Sequence, residues 1–76
     1  MVDKIEALIT AGQALYGDRW QTDLARDLDL SDARRIRQWL TKSRPIPQSI
    51  LNDLAGLLRE RQSLISDTLE MLKTLK

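Results

Sequence analysis

Residues 31–47, SDARRIRQWLTKSRPIP, contain the densest group of side chains in the sequence that could bind an anion. Five basic residues in this stretch stand against one acidic residue, whereas residues 1–30 contain three basic and six acidic residues. Residues 48–76 contain four of each, and the formal net charge of the whole chain is only +1. A local concentration of cations on an otherwise acidic or neutral chain is typical of a defined site for a polyanion.

The residue types in this stretch suit the hydrogen-bonding groups of a nucleic-acid duplex. Arginine matches the two acceptors of guanine, glutamine matches the donor and acceptor of adenine, and lysine and threonine suit phosphate oxygens. On a helical wheel, the residues opposite the apolar side are polar and include no acid: Arg34, Gln38, Thr41 and Lys42, with Arg35 beside them. Such good helix formers also cover ordinary solvated helix surfaces, but those surfaces usually carry acidic residues as well. The pattern therefore favours a helix that contacts a DNA groove.

The composition argues against catalysis and metal binding. The chain contains no Cys and no His, which removes disulfides, the usual metal ligands and the commonest general base. No Ser-centred or Gly-rich catalytic motif is present. Asp23, Asp27 and Asp29 lack the spacing and the loop glycine of a calcium site, and a solvated acidic face explains them better. We expect a protein with no enzymatic activity, no cofactor, no metal and no small-molecule ligand.

The length and the N-terminal sequence predict a small soluble protein. Seventy-six residues allow one domain, residues 1–76, with a single compact core. Asp3, Lys4 and Glu6 interrupt the region where a signal peptide would be apolar, and no run is long enough to cross a bilayer. We expect a cytoplasmic protein that does not associate with membranes.

Apolar residues recur at helical spacing along the chain, and no window alternates with period two, so the sequence predicts helices and no strand. The first helix is predicted over about residues 3–15, ended by Gly17, and the second over about residues 21–28. A later apolar series predicts helix over about residues 48–75. The sequence leaves open whether this segment is one helix or two with a break near residue 62.

The third helix is predicted to begin at Ser31, because its hydroxyl can accept from a free amide and the carboxylate of Asp32 favours the positive end of the helix dipole. Pro45 and Pro47 prevent it from extending beyond about residue 42 or 43. Its buried side is predicted to be Ala33, Ile36 and Leu40, with Trp39 on the flank. A short helix, a turn of three or four residues and a second helix with a basic face form the helix-turn-helix arrangement.

Three short motifs follow one another in this region: Gln21-x-x-Leu24-Ala25-x-x-Leu28-x-Leu30-Ser31, Ile36-x-x-Trp39 and Arg44-Pro45-Ile46-Pro47. Together they resemble the lambda-repressor-like (Cro-type) helix-turn-helix family, especially short phage and bacterial regulators, over about residues 15–58. The resemblance implies that Gln21 touches the DNA backbone and that Arg34 and Gln38 read bases. It also implies that residues 41–44 hold phosphates.

The chain departs from the family pattern in the turn before the third helix. Asp29 stands where the family usually has glycine, and one extra residue lies between Ser31 and Ile36. These departures predict a longer turn or a different start of the third helix. They leave open which of residues 33–35 points deepest into the groove.

We therefore expect an all-α domain of four or five helices, of lambda-repressor-like helix-turn-helix type, that binds double-stranded DNA as a transcriptional regulator, most simply an autorepressor. The helix-turn-helix core is expected over about residues 15–58 and the C-terminal helix over about 59–75. The expected base-reading residues are Arg34, Arg35 and Gln38. The expected phosphate contacts are Gln21, Thr22, Thr41, Lys42 and Arg44.

The C-terminal apolar series is longer than a three-helix core of this size needs. Its members are Leu57, Leu58, Leu64, Ile65, Leu69, Leu72 and Leu75. The surplus could fold back over the first helix or pair with a second copy of the chain. We expect a homodimer, because one recognition helix reaches only a few base pairs and most soluble homo-oligomers are two-fold dimers. The expected dimer interface is Leu64, Ile65, Leu69 and Leu72.

Two other functions remain open at this point. A helical protein-interaction module, such as an antitoxin or anti-repressor, would dock its C-terminal stripe on a different protein, and DNA binding would not depend on Arg34. An RNA-binding protein would prefer single strands or hairpins and would use Trp20 to stack bases. The helical spacing of Trp39 from Ile36 favours a core position for that indole.

Overall fold

The computed structural model describes residues 3–75, and within that range the chain forms four α-helices and no strand. Helix α1 spans Lys4–Tyr16, α2 spans Trp20–Asp27, α3 spans Arg34–Leu40 and α4 spans Gln48–Lys73. The prediction of an all-α protein is confirmed. Among the described residues, no helix has both the length and the apolar character needed to cross a bilayer.

Helix α1 begins and ends at residues that suit helix termini. The carboxylate of Asp3 accepts a hydrogen bond from the amide of Glu6 at 2.8 Å, which satisfies one free donor of the first turn. Gly17 follows the helix with φ 82° and ψ −153°, a conformation that glycine adopts without a Cβ clash. Both ends lie within one residue of the prediction.

Helix α2 packs against α1 at a glycine. A Cβ added at Gly12 would lie 2.2 Å from Cε3 of Trp20, so the indole fills the space that a side chain would need. Trp20 is only 4% exposed. The RNA-binding alternative required Trp20 to be free to stack a base. The structure instead places it against Gly12 of α1 and in the core, with no free face for stacking.

The core draws on all four helices and on the segment between α3 and α4. Its buried hydrophobic residues are Leu8, Ala11, Leu15, Trp20, Leu24, Ala25, Ile36, Trp39, Ile46 and Leu54. Trp39 is buried, as its helical spacing from Ile36 predicted, whereas Ala33 and Leu40, which were assigned to the buried side, are only half-buried. Ala33 precedes α3 and Leu40 is its last residue, so Ile36 and Trp39 define the side of this short helix that faces the core.

Helix α3 is shorter than predicted and begins later. It contains seven residues, and six residues, 28–33, separate it from α2. The connection is thus longer than the three or four residues of the helix-turn-helix arrangement, in the direction that Asp29 and the extra residue before Ile36 predicted. Asp29 has φ 64°, a left-handed conformation that turns the chain away from the helix axis. The amide of Leu30 then donates to the carbonyl of Ala25 at 2.8 Å, which is the hydrogen bond of a Schellman helix end.

The start of α3 is capped by a different residue from the one predicted. The amide of Arg34 donates to Oδ1 of Asp32 at 2.8 Å. The N-cap position of α3 is Ala33, whose side chain forms no capping hydrogen bond, so the prediction of Ser31 as the N-cap is wrong. The side chain that satisfies a free amide at the helix start is the carboxylate of Asp32.

Helix α4 is one continuous helix of 26 residues, about 39 Å long at 1.5 Å per residue. Gly56 lies inside it without interrupting it, and no break occurs near residue 62. Its first part packs on the core through Ile50, Leu51, Leu54, Leu57 and Leu58. From residue 62 to residue 75 every side chain is exposed. We call residues 62–75 the tail, and the rest of the described chain the body.

Arg61 joins α4 to the end of α1 at the point where the tail begins. Its Nη1 donates to the carbonyl of Leu15 at 2.6 Å, and its guanidinium carbon lies 5.9 Å from the centroid of the Tyr16 ring. The hydroxyl of Tyr16 donates to Oδ2 of Asp27 at 2.5 Å, which links α1 to α2. Burial of the Tyr16 hydroxyl and its hydrogen bond to the Asp27 carboxylate raise the pKa of Tyr16 to about 12.

Candidate nucleic-acid interface

The side of α3 opposite the core carries basic residues. Ile36 and Trp39 point into the core, so at about 100° per residue the opposite direction lies nearest Arg34 and Thr41. The basic residues on α3 and just after it are all exposed: Arg34, Arg35, Arg37, Lys42 and Arg44. Within residues 3–75, none of these five forms an ion pair. Their charges are therefore not neutralised by carboxylates of the described chain.

Two open grooves run on either side of α3 and share the turn before it. Arg34, Arg35, Gln38 and Arg44 line one groove, so the three expected base readers lie together with one expected phosphate contact. Arg37 lines the other groove, together with Thr22 of α2. Residues 29–32 border both grooves.

Arg37 is a candidate contact that the sequence analysis did not select. It lies about 60° from Arg34 around the helix axis, whereas Arg35 lies about 100° away. Arg37 was overlooked because it neighbours Ala33 on the wheel, and Ala33 was assigned to the buried side. Since Ile36 and Trp39 define the core side, the outward face turns toward Arg37. A wheel centred on those two residues would have found it.

The end of α3 holds Lys42 in a backbone conformation that favours glycine. Lys42 has φ 65°. Its amide donates to the carbonyl of Trp39 at 3.1 Å and the amide of Ser43 donates to that of Gln38 at 2.9 Å, the two hydrogen bonds of a Schellman motif. The left-handed position in this motif is usually glycine, and a residue with a Cβ costs roughly 1 kcal/mol more there.

Lys42 also lies next to a third groove, at the N-terminus of α1. This groove is lined by Asp3 and Lys4 on one side and by Lys42 and Arg44 on the other. The basic surface of α3 therefore continues past the end of the helix to a lysine of α1.

Among the other expected contacts, the threonines are exposed and the glutamines are less accessible than the arginines. Thr41 is exposed, but its hydroxyl lies 2.9 Å from that of Ser43 and 3.3 Å from the carbonyl of Gln38. Gln38 is half-buried, as is Gln21, the second residue of α2. Gln21 does not belong to the residues that line the two grooves beside α3.

Carboxylates border the basic surface on one side. Asp29 and Asp32 lie in the turn that both grooves share. Asp29 also borders a separate groove between α2 and α4, where Asp27, Asp53 and Glu60 are found. The described chain therefore has a basic surface on α3 and an acidic surface on the α4 side of the turn. A polyanion placed on α3 would meet cations first and would be repelled from the α4 side.

The exposed cations on and after α3 are the main candidate for a binding site. The chain matches no family model, no curated protein and no solved structure.

Proposed function

We propose that this chain is a transcriptional regulator that binds double-stranded DNA sequence-specifically, as a homodimer, and that it most simply represses its own gene. In this proposal the fold is of the lambda-repressor-like helix-turn-helix type, with α2 and α3 as the helix pair and α3 as the recognition helix. The observation that carries the proposal is the outward face of α3. Its arginines are exposed and form no ion pair within residues 3–75.

The dimensions and chemistry of α3 suit direct reading of bases. An α-helix with its side chains is about 10–12 Å across, and the major groove of B-DNA is about 12 Å wide. Arg34 lies closest to the outward direction, so we assign it the deepest position, with Arg35 and Gln38 reading neighbouring bases. Arg37 and Thr22 border the other groove, and we assign them to phosphates of the opposite strand.

The conformation of Lys42 supports a role in binding. Lysine at φ 65° is uncommon at a position that favours glycine, and strained residues of this kind occur often at functional sites. Lys42 and Arg44 follow α3 directly and line the same groove at the start of α1. We assign both to phosphates, where a flexible ammonium and a guanidinium act without base preference.

The alternative functions differ in how the structure bears on them. The RNA-binding alternative required Trp20 as a stacking platform, and both Trp20 and Trp39 are buried, at 4% and 2% exposed. The protein-interaction alternative is supported by the exposed apolar side chains of the tail. It differs from the DNA proposal in one respect that can be measured: DNA binding would not depend on Arg34.

The test compares Arg34→Ala with Arg59→Ala on two duplexes. Arg59 is exposed on α4, so its loss changes the net charge equally but lies outside the proposed interface. Affinity is measured by fluorescence anisotropy on a duplex selected from a random pool and on a scrambled duplex of equal length. We expect Arg34→Ala to weaken binding to the selected duplex by about 1–3 kcal/mol and to relax preference at one position.

The control variant and the scrambled duplex distinguish the results that would contradict the proposal. Arg59→Ala should bind both duplexes like the unmodified chain. Equal losses on the selected and scrambled duplexes for Arg34→Ala would refute its assignment as a base reader. Binding that is unaffected by Arg34→Ala would refute the recognition-helix proposal and support the protein-interaction alternative.

A further inference from the structure

The tail carries an apolar face that nothing in the described chain covers. Its large apolar side chains are more than half exposed: Leu64 59%, Ile65 53%, Leu69 54%, Met71 64%, Leu72 60% and Leu75 76%. Together they present on the order of 600 Å² of apolar surface, and patches of this size on soluble proteins mark interaction sites. The sequence predicted four of these residues as the dimer interface and placed Leu75 in the same apolar series, and the structure adds Met71.

This face continues the face by which α4 packs on the body. Counting in sevens, Ile65 and Leu72 follow the half-buried Leu58, and Thr68 and Leu75 follow Arg61 in a second row. The polar side chains of the tail lie on the opposite side: Ser63, Ser66, Asp67, Glu70, Lys73 and Thr74. The hydroxyl of Thr68 donates to the carbonyl of Leu64 at 2.7 Å. Thr68, the polar residue of the tail that lies within the two rows, therefore leaves no unsatisfied hydrogen-bond donor on the apolar face.

We infer that the tail of a second copy of this chain covers the face, with the two helices antiparallel. The exposed apolar area approaches the roughly 800 Å² per partner of a standard interface. No charged residue of the tail lies in the two rows, because Asp67, Glu70 and Lys73 are on the other side. Two identical faces can therefore meet without like-charge repulsion, as a two-fold interface requires.

The position of the body excludes the parallel arrangement. The body lies on this same face of α4 and reaches along it as far as Arg61, which holds the carbonyl of Leu15. A parallel partner helix in register with the tail would continue backward into the volume that the body occupies. An antiparallel partner continues past Leu75, where its own body lies clear of the first copy.

The need to keep the partner helix clear of the body also sets the alignment of the two tails. If the partner helix stays clear of Arg61 and the two apolar rows face each other, Thr68 lies opposite the partner's Leu72, and Ile65 lies opposite the partner's Leu75. The wide apolar face also extends to Leu64 and Leu69 on its flanks. This inference deepens the homodimer of the proposed function and rests on it, but its tests are made without DNA.

The first test measures self-association of the full chain. Sedimentation equilibrium at micromolar concentration should give twice the 8.7 kDa mass of the chain. Leu72→Glu should raise the dimer dissociation constant at least tenfold. Ser66→Glu, which places the same charge on the polar side, should leave it unchanged. Leu72 lies outside the core, so the circular-dichroism melting of the body reports that the variant still folds. A strictly monomeric chain, or a Leu72→Glu variant that dimerises like the unmodified chain, would overturn the inference.

The second test measures the direction of the helices by disulfide formation. The chain has no cysteine, so introduced cysteines react only with each other. Disulfides need Cα atoms within about 7 Å. A mixture of Thr68→Cys and Leu72→Cys copies should give a mixed disulfide as its main product. Efficient disulfide formation by Leu72→Cys alone would place the two copies of residue 72 side by side, which the proposed antiparallel alignment does not allow, and would overturn the inference, as would the absence of a mixed disulfide.

These outcomes can be separated from failure of the proposed function. Loss of Arg34-dependent DNA binding with the dimer intact would refute the recognition helix alone. A monomer that still binds DNA through Arg34 would refute the tail interface and the homodimer, and would leave the recognition helix standing.

Discussion

Glycine substitutions at Lys42 and Asp29 separate backbone strain from DNA contact. Both residues follow a helix, have φ near 65° and donate through the same pattern of hydrogen bonds. A left-handed conformation costs a residue with a Cβ about 1–2 kcal/mol, and the greater freedom of glycine in the unfolded chain offsets about 0.5–1 kcal/mol of this. Lys42→Gly should therefore raise the free energy of unfolding by about 0.5–1 kcal/mol. Asp29→Gly should raise it by roughly 0.5 kcal/mol or less, because Asp tolerates this conformation better than Lys.

The two variants should differ in DNA binding. Lys42→Gly removes one proposed phosphate contact from each copy of the dimer, which should lower the salt slope of log K by about 1.8 in all and weaken binding roughly 25- to 100-fold at 0.1 M salt. Asp29→Gly removes a carboxylate that borders both grooves, so its affinity should be unchanged or higher. The variant at Lys42 is thus expected to be more stable and to bind more weakly.

Urea denaturation followed by circular dichroism measures the stability of each variant. Fluorescence anisotropy between about 0.05 and 0.2 M salt measures the slope of log K, because a change of roughly 0.9 per phosphate is easily detected over this range. A Lys42→Gly variant that gains stability but keeps the original slope would refute the phosphate contact. A variant that loses stability would refute the assignment of strain to this position.

The remaining predictions concern the body. Gly12→Ala should lower the free energy of unfolding by about 2–3 kcal/mol, because the new Cβ would lie 2.2 Å from the Trp20 ring. Gly56→Ala, whose Cβ meets nothing within 4 Å, should raise the free energy of unfolding by roughly 0.5–1 kcal/mol. Urea denaturation that ranks the two variants the other way would contradict the packing of Gly12 against Trp20. Tyr16 is the only tyrosine of the chain and should titrate in the native state with a pKa of about 12. Because the pKa of Tyr16 is higher in the folded state, the stabilisation from its neutral hydroxyl is full below pH 10 and is lost as the pH rises to about 12. Absorbance at alkaline pH measures this, Asp27→Asn should lower the midpoint toward 10, and a native midpoint already near 10 would contradict the hydrogen bond.

The sequence predicts the ends of a helix correctly where the local signals are strong. It fails where a distant contact or an unusual backbone conformation determines where the helix begins or ends. Both ends of α1 were predicted to within one residue because Asp3 and Gly17 are ordinary helix-end residues. The start of α3 was predicted wrongly because Ser31 and Asp32 have similar capping chemistry, and the local sequence does not show that the carboxylate of Asp32, rather than the hydroxyl of Ser31, accepts from an amide of the first turn. The left-handed conformation of Asp29 could be suspected from the sequence, but its effect on the following residues could not.

Some features of the candidate site also follow from the local sequence, and others depend on distant contacts. The polar character of the α3 surface is local, so the exposure of Arg34 and Arg35 followed from periodicity. The contribution of Arg37 depended on how α3 rotates about its axis, which the buried Trp39 fixes through contacts with other elements. The continuity of α4 was undecidable from local sequence, and the hydrogen bond from Arg61 to α1, which marks where the tail leaves the body, joins residues far apart in the chain.

The central claim is that α3 reads DNA sequence within a symmetric dimer. Selection of bound duplexes from a random pool by the full chain tests it most directly, because it reports the ligand class and the symmetry together. We predict enrichment of an inverted repeat whose half-sites each span a few base pairs, and loss of that enrichment with Arg34→Ala. A pool that remains random after repeated selection, or one enriched equally by the Arg34→Ala variant, would contradict it.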